Sequence, residues 1–152
     1  MCAIAGIIGG EQAKKKPNEV KSMLLMMKHR GPDFTNYMEF DGALFGHNRL
    51  SIIDTHQRAN QPMKSNDNNL LLVFNGEIYN YLELRDKLKT YYNFKTKSDS
   101  EVLLAAFQKW GVNSFKKLNG AFAFCIYDKK SKKSYFVRDR FGQKPIFFFK
   151  KK

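Results

Sequence analysis

Cys2 becomes the first residue of the chain if Met1 is removed, and a small side chain at position 2 permits that trimming. A trimmed Cys2 carries a thiol and a free α-amine on one residue. The amine titrates at roughly 7.7–8.0 and a thiol near about 8.5, so the amine can serve as base for its own side chain near neutral pH. That activates a nucleophile without a separate histidine. Met-Cys alone is a common dipeptide, so the chemistry needs partners. Asn75-Gly76 follows the apolar run Leu70–Phe74. As an isolated dipeptide it signals a hairpin turn. At a strand end it also offers a side-chain amide and an unobstructed backbone N–H, a competent hole for the oxyanion of a tetrahedral intermediate. Arg49 reads either as a surface ion-pair residue or as a fork that grips a carboxylate. Asp99 reads either as a charge set against a helix dipole or as an anion that binds a substrate ammonium. His29, His47 and His56 have no ligand spacing, so no metal is expected.

These residues need elements to hold them. Ala3–Ile8 reads as an apolar strand ended by Gly9-Gly10. Asn18 is a candidate cap for a helix through about His29, with Val20, Met23, Leu24 and Met27 on one face and Gly31-Pro32 stopping it. Ala43–Asn48 and Leu70–Asn75 read as strands. Tyr81, Leu84 and Leu88 mark one face of a second helix. Ser98 and Glu101 form a capping box for a third, with Leu103, Ala106, Phe107 and Trp110 on one side and Gly111 at its end. Ala121–Tyr127 and Ser134–Val137 form a hairpin across a lysine-rich turn. Pro145–Phe149 reads as the start of another strand. Strands joined mostly by short turns, with helices grouped between them, indicate an α+β fold with antiparallel sheets.

Composition sets the outer bounds. A chain of 152 residues with 43% hydrophobic and 14% aromatic residues is one globular domain with a real core. No run approaches the ~20 apolar residues of a membrane helix, and no basic region precedes the first apolar stretch as in a secretory signal. Two cysteines make no disulfide framework. Cys125 sits in the apolar run Ala121–Tyr127 and reads as a packing residue, so a reducing cytoplasm fits. The net charge of +13 invites a nucleic-acid reading. The lysines, however, cluster at Lys14–Lys16, Lys129–Lys133 and Lys150–Lys152, as a loop, a turn and a tail. Arginines, which favour bidentate phosphate and base contacts, are confined to Arg30, Arg49, Arg58, Arg85, Arg138 and Arg140. A solvated basic surface or an acidic partner protein fits better than specific nucleic-acid binding.

The quoted stretches match a family. The chain resembles the class II, N-terminal-nucleophile glutamine amidotransferase domain of asparagine synthetases. The match lies in Met1-Cys2-Ala3-Ile4-Ala5-Gly6, Arg30-Gly31-Pro32-Asp33, Arg49-Leu50-Ser51-Ile52-Ile53-Asp54, Phe74-Asn75-Gly76-Glu77-Ile78-Tyr79-Asn80, Ser98-Asp99-Ser100-Glu101, Asn119-Gly120-Ala121-Phe122-Ala123-Phe124 and Arg138-Asp139-Arg140-Phe141-Gly142-Gln143-Lys144-Pro145. These run in the family's order across nearly the whole chain. The resemblance implies a four-layer αββα sandwich over residues 1–152 that hydrolyses glutamine to glutamate and ammonia through a cysteine thioester. It implies Cys2 as nucleophile, Asn75 and Gly76 as oxyanion donors, Arg49 for the α-carboxylate, and Asp99 with Glu77 for the α-ammonium. The segment containing Leu50, Ile52 and Ile53 would line the pocket. The ammonia would supply an ATP-dependent amide-forming step on a synthetase domain or chain. ATP and magnesium belong to that part, so no cofactor is expected in this domain.

The sequence departs from the family in places. Position 3 is Ala where the family most often has Gly, a modest change unless the backbone needs a positive φ. The family's domain continues in further strands past the stretch matching Arg138–Pro145. The fold is therefore expected to lack its last strands, leaving the Phe147–Phe149 triplet beside an open sheet edge. No Ser-Gly-Gly-rich pyrophosphate loop and no P-loop is present, so ATP-dependent activation of aspartate is not expected of this chain. Three alternatives remain. One is a non-catalytic glutamine-binding or partner-docking fragment of a truncated asparagine synthetase. The others are an N-terminal-nucleophile hydrolase for another amide, and nucleic-acid binding.

Overall fold

Side-chain alternation along two central strands decides the layers. In the computed structural model, which describes residues 1–150, β3 (Ala43–Arg49) lies between β1 (Ala3–Ile8) and β2 (Phe34–Phe40) in a three-stranded sheet. Both neighbours run antiparallel to it. Ala43 and Phe45 face one way, Leu44 the other, as the period of a strand requires. A second antiparallel sheet has the order β4 (Met63–Lys64), β5 (Leu70–Ile78), β6 (Gly120–Asp128), β7 (Lys133–Arg138). Leu71 and Val73 of β5 face the first sheet, while Leu72, Phe74 and Ile78 face away.

Three apolar clusters fill the three gaps between four layers. On the outer face of the first sheet, Val20 and Leu24 of α2 (Pro17–Met26) and Ala13 of α1 (Glu11–Lys14) cover Leu44. A Cβ on Gly46 would come within 2.7 Å of Leu24 Cδ1, so the absent side chain is what lets α2 lie directly on β3. Phe40, Ala43, Phe45, Leu71, Val73, Cys125 and Tyr127 fill the space between the sheets. The largest cluster joins the second sheet to α3 (Tyr81–Leu88) and α4 (Asp99–Trp110). The fold is therefore the α+β, four-layer αββα sandwich expected. Cys125 is buried in it, and burial pushes its thiol up to about 12. At one end the inter-sheet layer is tied by Tyr127 Oη donating to the Asp41 carbonyl at 3.0 Å and by the ion pair of Lys132 with Asp41.

Several elements differ from the sequence expectations. α2 starts at Pro17, not after Asn18. Lys16 occupies the cap with no side-chain bond, and proline's fixed φ suits the first helical turn. The helix ends at Met26, and Lys28–Arg30 form a separate 3-10 turn. Of the expected face Val20 and Leu24 are buried, Met27 is half-buried and Met23 is 39% exposed, so the core contact is made by the two aliphatic residues more than by the methionines. β2 was not expected, although its burial alternates residue by residue. β5 runs through Asn75-Gly76 to Ile78 in continuous pairing with β6, so this Asn-Gly is neither a turn nor a strand end. The β6–β7 hairpin is as expected, its turn held by the Asp128 carboxylate accepting from Lys130 N–H and Ser131. Pro145–Phe149 is not a strand. Phe147 and Phe149 are exposed there, and Phe148 stacks on Phe136 with ring centroids 5.8 Å apart.

Candidate active site

Cys2 enters the fold just ahead of β1, whose first residue pairs with Asn48 of β3. That register sets the thiol beside the chain leaving β3. Leu50 N–H donates to Cys2 Sγ at 3.4 Å, and the Leu50 carbonyl lies 3.7 Å from the same sulfur. Arg30 Nε donates to the Cys2 carbonyl at 3.3 Å. Asp33 completes the brace. Its N–H donates to Arg49 O, and its carboxylate accepts Ser51 N–H at 2.7 Å. Burial pushes the Cys2 thiol up, opposed by the Leu50 N–H, the amino terminus and Arg49.

The second wall of the cleft is an unpaired stretch of strand. β4 pairs only Met63 and Lys64 with Leu72 and Leu71, so the outer edge of β5 is open beyond it. Even-numbered residues of β5 turn their peptide groups to this edge. Phe74 N–H donates to Gln61 Oε1 at 2.7 Å, and Ile78 N–H donates to Asp99 Oδ2 at 3.0 Å. Gly76 lies between them, so strand alternation sends its N–H to the same edge, into the cleft. A Cβ at Gly76 would overlap the Ala121 carbonyl oxygen and crowd Phe122 Cα, and its φ of 155° suits glycine. Asn75 is buried on the face of β5 turned toward the first sheet. His47 Nε2, from β3, lies 3.1 Å from Phe74 O and joins the two sheets here.

Asp99 occupies the first turn of α4, after the cap Ser98, whose side chain accepts from Glu101 N–H. Only half of the expected capping box forms. The Glu101 carboxylate turns instead to Lys95 N–H, Thr96 N–H and Thr96 Oγ1. Asp99 is 6% exposed. Burial pushes its carboxyl up to about 6, and the nearby Glu77 charge adds to this, while the Ile78 and Ser100 N–H groups pull the other way.

Arg49 is held differently from the free fork expected. Its Nη1 donates to His56 O and Asn60 Oδ1, and its Nη2 to Ile53 O and Asp54 O. The guanidinium thus organises the 53–60 loop and leaves Nε outside this set. Asp54 fastens the other side of that loop. Burial opposes its charge, but bonds from Lys97 N–H, Arg58 and His56 N–H together pull it down to about 2.

One cleft of about 170 Å³ is lined by all nine residues singled out in the sequence: Cys2, Arg49, Leu50, Ile52, Ile53, Asn75, Gly76, Glu77 and Asp99. The same walls include Met1, Gln61, Tyr79, Ser98, Ser100, Ala121 and Lys144, none of which the sequence marked as a site residue. Lys144 Nζ contacts Met1 Sδ at 2.9 Å over the thiol end. A second cavity of about 300 Å³ lies on the other side of Arg49, lined by Asp33, Ser51, Gln57 and Asn60 among others. Among the described residues, no three His, Cys, Asp or Glu side chains gather as a metal site, and no helix is long and apolar enough to cross a membrane.

The four-layer αββα sandwich thus sets Cys2 beside the open edge of β5. The model of the glutamine amidotransferase domain matches residues 1–152, and the chain belongs to that family. It is 40% identical over 152 residues to asparagine synthetase [glutamine-hydrolyzing] 1 of Bacillus subtilis, covering 97% of this chain and 24% of that protein. Asparagine synthetase B [glutamine-hydrolyzing] of Escherichia coli is 36% identical over 151 residues, with 97% and 26% covered. The chain thus spans about a quarter of the length of these relatives. Among solved structures, the glutamine phosphoribosylpyrophosphate amidotransferase from B. subtilis superposes with a TM-score of 0.70 at 24% identity, over 85% of this chain and 35% of that one. That likeness shows the shared fold.

Proposed function

We propose that this domain hydrolyses glutamine to glutamate and ammonia with Cys2 as nucleophile. The supporting observation is the convergence of all nine family-type residues on one cleft whose floor is the open β5 edge at Gly76. Removal of Met1 frees the Cys2 amine. The amine takes the thiol proton as sulfur bonds to the side-chain amide carbon of glutamine. Asn75 Nδ2 and Gly76 N–H hold the oxyanion. The C–N bond breaks as the protonated amine gives its proton to departing ammonia, and water then cleaves the thioester to glutamate. Asp99, with Glu77 beside it, holds the substrate ammonium. Arg49 holds the carboxylate after giving up part of its bonding to the 53–60 loop.

The step as written needs no cofactor. We assign the ammonia to an ATP-dependent amide-forming synthetase domain or chain, with asparagine as its product by analogy with the relatives, in a reducing cytoplasm suited to two free thiols. The test is glutamate release from glutamine by Met1-trimmed protein, with trimming verified by mass spectrometry. Turnover that vanishes in Cys2→Ala is expected. Equal turnover in that variant would sink the reading. A second reading turns on processing, because a retained Met1 would make the Cys2 nitrogen an amide and deny it the role of base. A chain that keeps Met1 in the cell would act as a glutamine-binding or docking module without turnover.

A further inference from the structure

Past the short pairing with β4, the peptide groups of Phe74 face an edge with no neighbouring strand. Buried backbone groups need partners, and two side chains supply them here. Gln61 Oε1 accepts the Phe74 N–H at 2.7 Å, and His47 Nε2 meets the Phe74 carbonyl at 3.1 Å. Both side chains belong to buried residues, and His47 is fully inaccessible. A carbonyl oxygen only accepts, so the His47 proton sits on Nε2 and Nδ1 carries a lone pair. Nδ1 is buried with no hydrogen-bond partner among the described residues. An imidazole in this apolar layer therefore leaves one polar atom unsatisfied in return for a single bond, which a leucine or phenylalanine would avoid. Burial also lowers the ring's pKa to about 4, keeping it neutral and the tautomer fixed.

The position of that bond points to its use. The Phe74 carbonyl belongs to the peptide plane that leads into Asn75, and the next plane carries the Gly76 N–H. A tilt of the first swings both donors. We propose that His47, assisted by Gln61, is a positioning residue that holds the Phe74 peptide groups so that Asn75 and Gly76 aim their donors at the carbon attacked by Cys2. This deepens the glutaminase reading and rests on it. The clamp acts on transition-state geometry, whereas the amino-acid end of glutamine is held by other residues. Its loss should therefore lower kcat and spare KM.

Steady-state glutamine hydrolysis by the Met1-trimmed chain tests this in wild type, His47→Leu, His47→Gln and Gln61→Met, each checked for folding by circular dichroism. His47→Leu should lower kcat about 100-fold, the scale of a misplacement near 1 Å, with KM within about threefold. His47→Gln carries an N–H donor at the reach of Nε2 and should recover at least about tenfold of that loss. Gln61→Met should show the same kcat-weighted pattern. Two-bond ¹H–¹⁵N spectra of wild type should report the Nε2–H tautomer of His47. An unchanged kcat in His47→Leu, a folded His47→Gln as slow as His47→Leu, a KM that rises as kcat falls, or an Nδ1–H tautomer would overturn the assignment. Should His47→Leu not fold, the glutamine variant and the spectra decide. Wild-type protein that releases no glutamate refutes the glutaminase reading and this inference with it, a result distinct from wild-type turnover that ignores position 47.

Discussion

Asp99 must be ionised to hold an ammonium, yet burial and Glu77 keep its carboxyl protonated up to about 6. Substrate binding should therefore strengthen as pH rises through that value. KM for glutamine is expected to fall about tenfold between pH 5 and pH 7, since about a tenth of the carboxyl is charged one unit below its pKa. Asp99→Asn should raise KM and flatten this limb. A wild-type KM that stays level from pH 5 to 7 would contradict the role. Asn75→Ala should lower kcat by about 10²–10³ with a smaller effect on glutamine binding measured by calorimetry, as for loss of one oxyanion donor. The chemistry of these residues was legible because each has a recognisable donor, acceptor or nucleophile. The bonding of Arg49 was not, because its acceptors are loop carbonyls at 53, 54 and 56 and the Asn60 side chain, whose placement follows no periodic pattern. His47 was passed over because its partner, the Phe74 carbonyl, comes from the other sheet.

At the scale of elements, the strength of α4's entry lies in an acid three residues inside it. Ser98→Ala loses the cap bond from Glu101 N–H and the hydroxyl bonds with Thr96 and Ser100, and should cost about 1–2 kcal/mol. Glu101→Ala strips partners from the Lys95 and Thr96 N–H groups and should cost more, about 3 kcal/mol, because one of them is buried. Urea unfolding of both variants checks the order, and a larger loss in Ser98→Ala would contradict it. The cap was legible from residue types, but the true acceptors of Glu101 required the path of the preceding loop. Local signals also failed at Asn75-Gly76, where the turn preference yields to nine consecutive pairings between β5 and β6. Tertiary pairing outweighs a dipeptide preference worth a fraction of that ladder. Gly76→Ala should destabilise the fold by about 1–3 kcal/mol through overlap with β6 and abolish turnover together.

At the scale of the molecule, the sandwich was legible because strand alternation sorts side chains into layers, while the cleft arises where β5 outruns its neighbour β4. The net charge of +13 makes the chain repel itself. Screening lengthens its stability margin. Raising sodium chloride from 0.01 to 0.15 M shortens the Debye length from about 30 to about 8 Å and should raise Tm by a few degrees in calorimetry. A Tm that falls would place net attraction, not repulsion, among these charges. Asp41 fastens the two sheets at one end, through Tyr127 and Lys132, and His47 bolts them at the other. With the two sheets bolted near both ends, the part of the cleft wall that hangs on a single cation is the stretch from Ile53 to Asn60: replacing Arg49 would strip four acceptors of their donor at once.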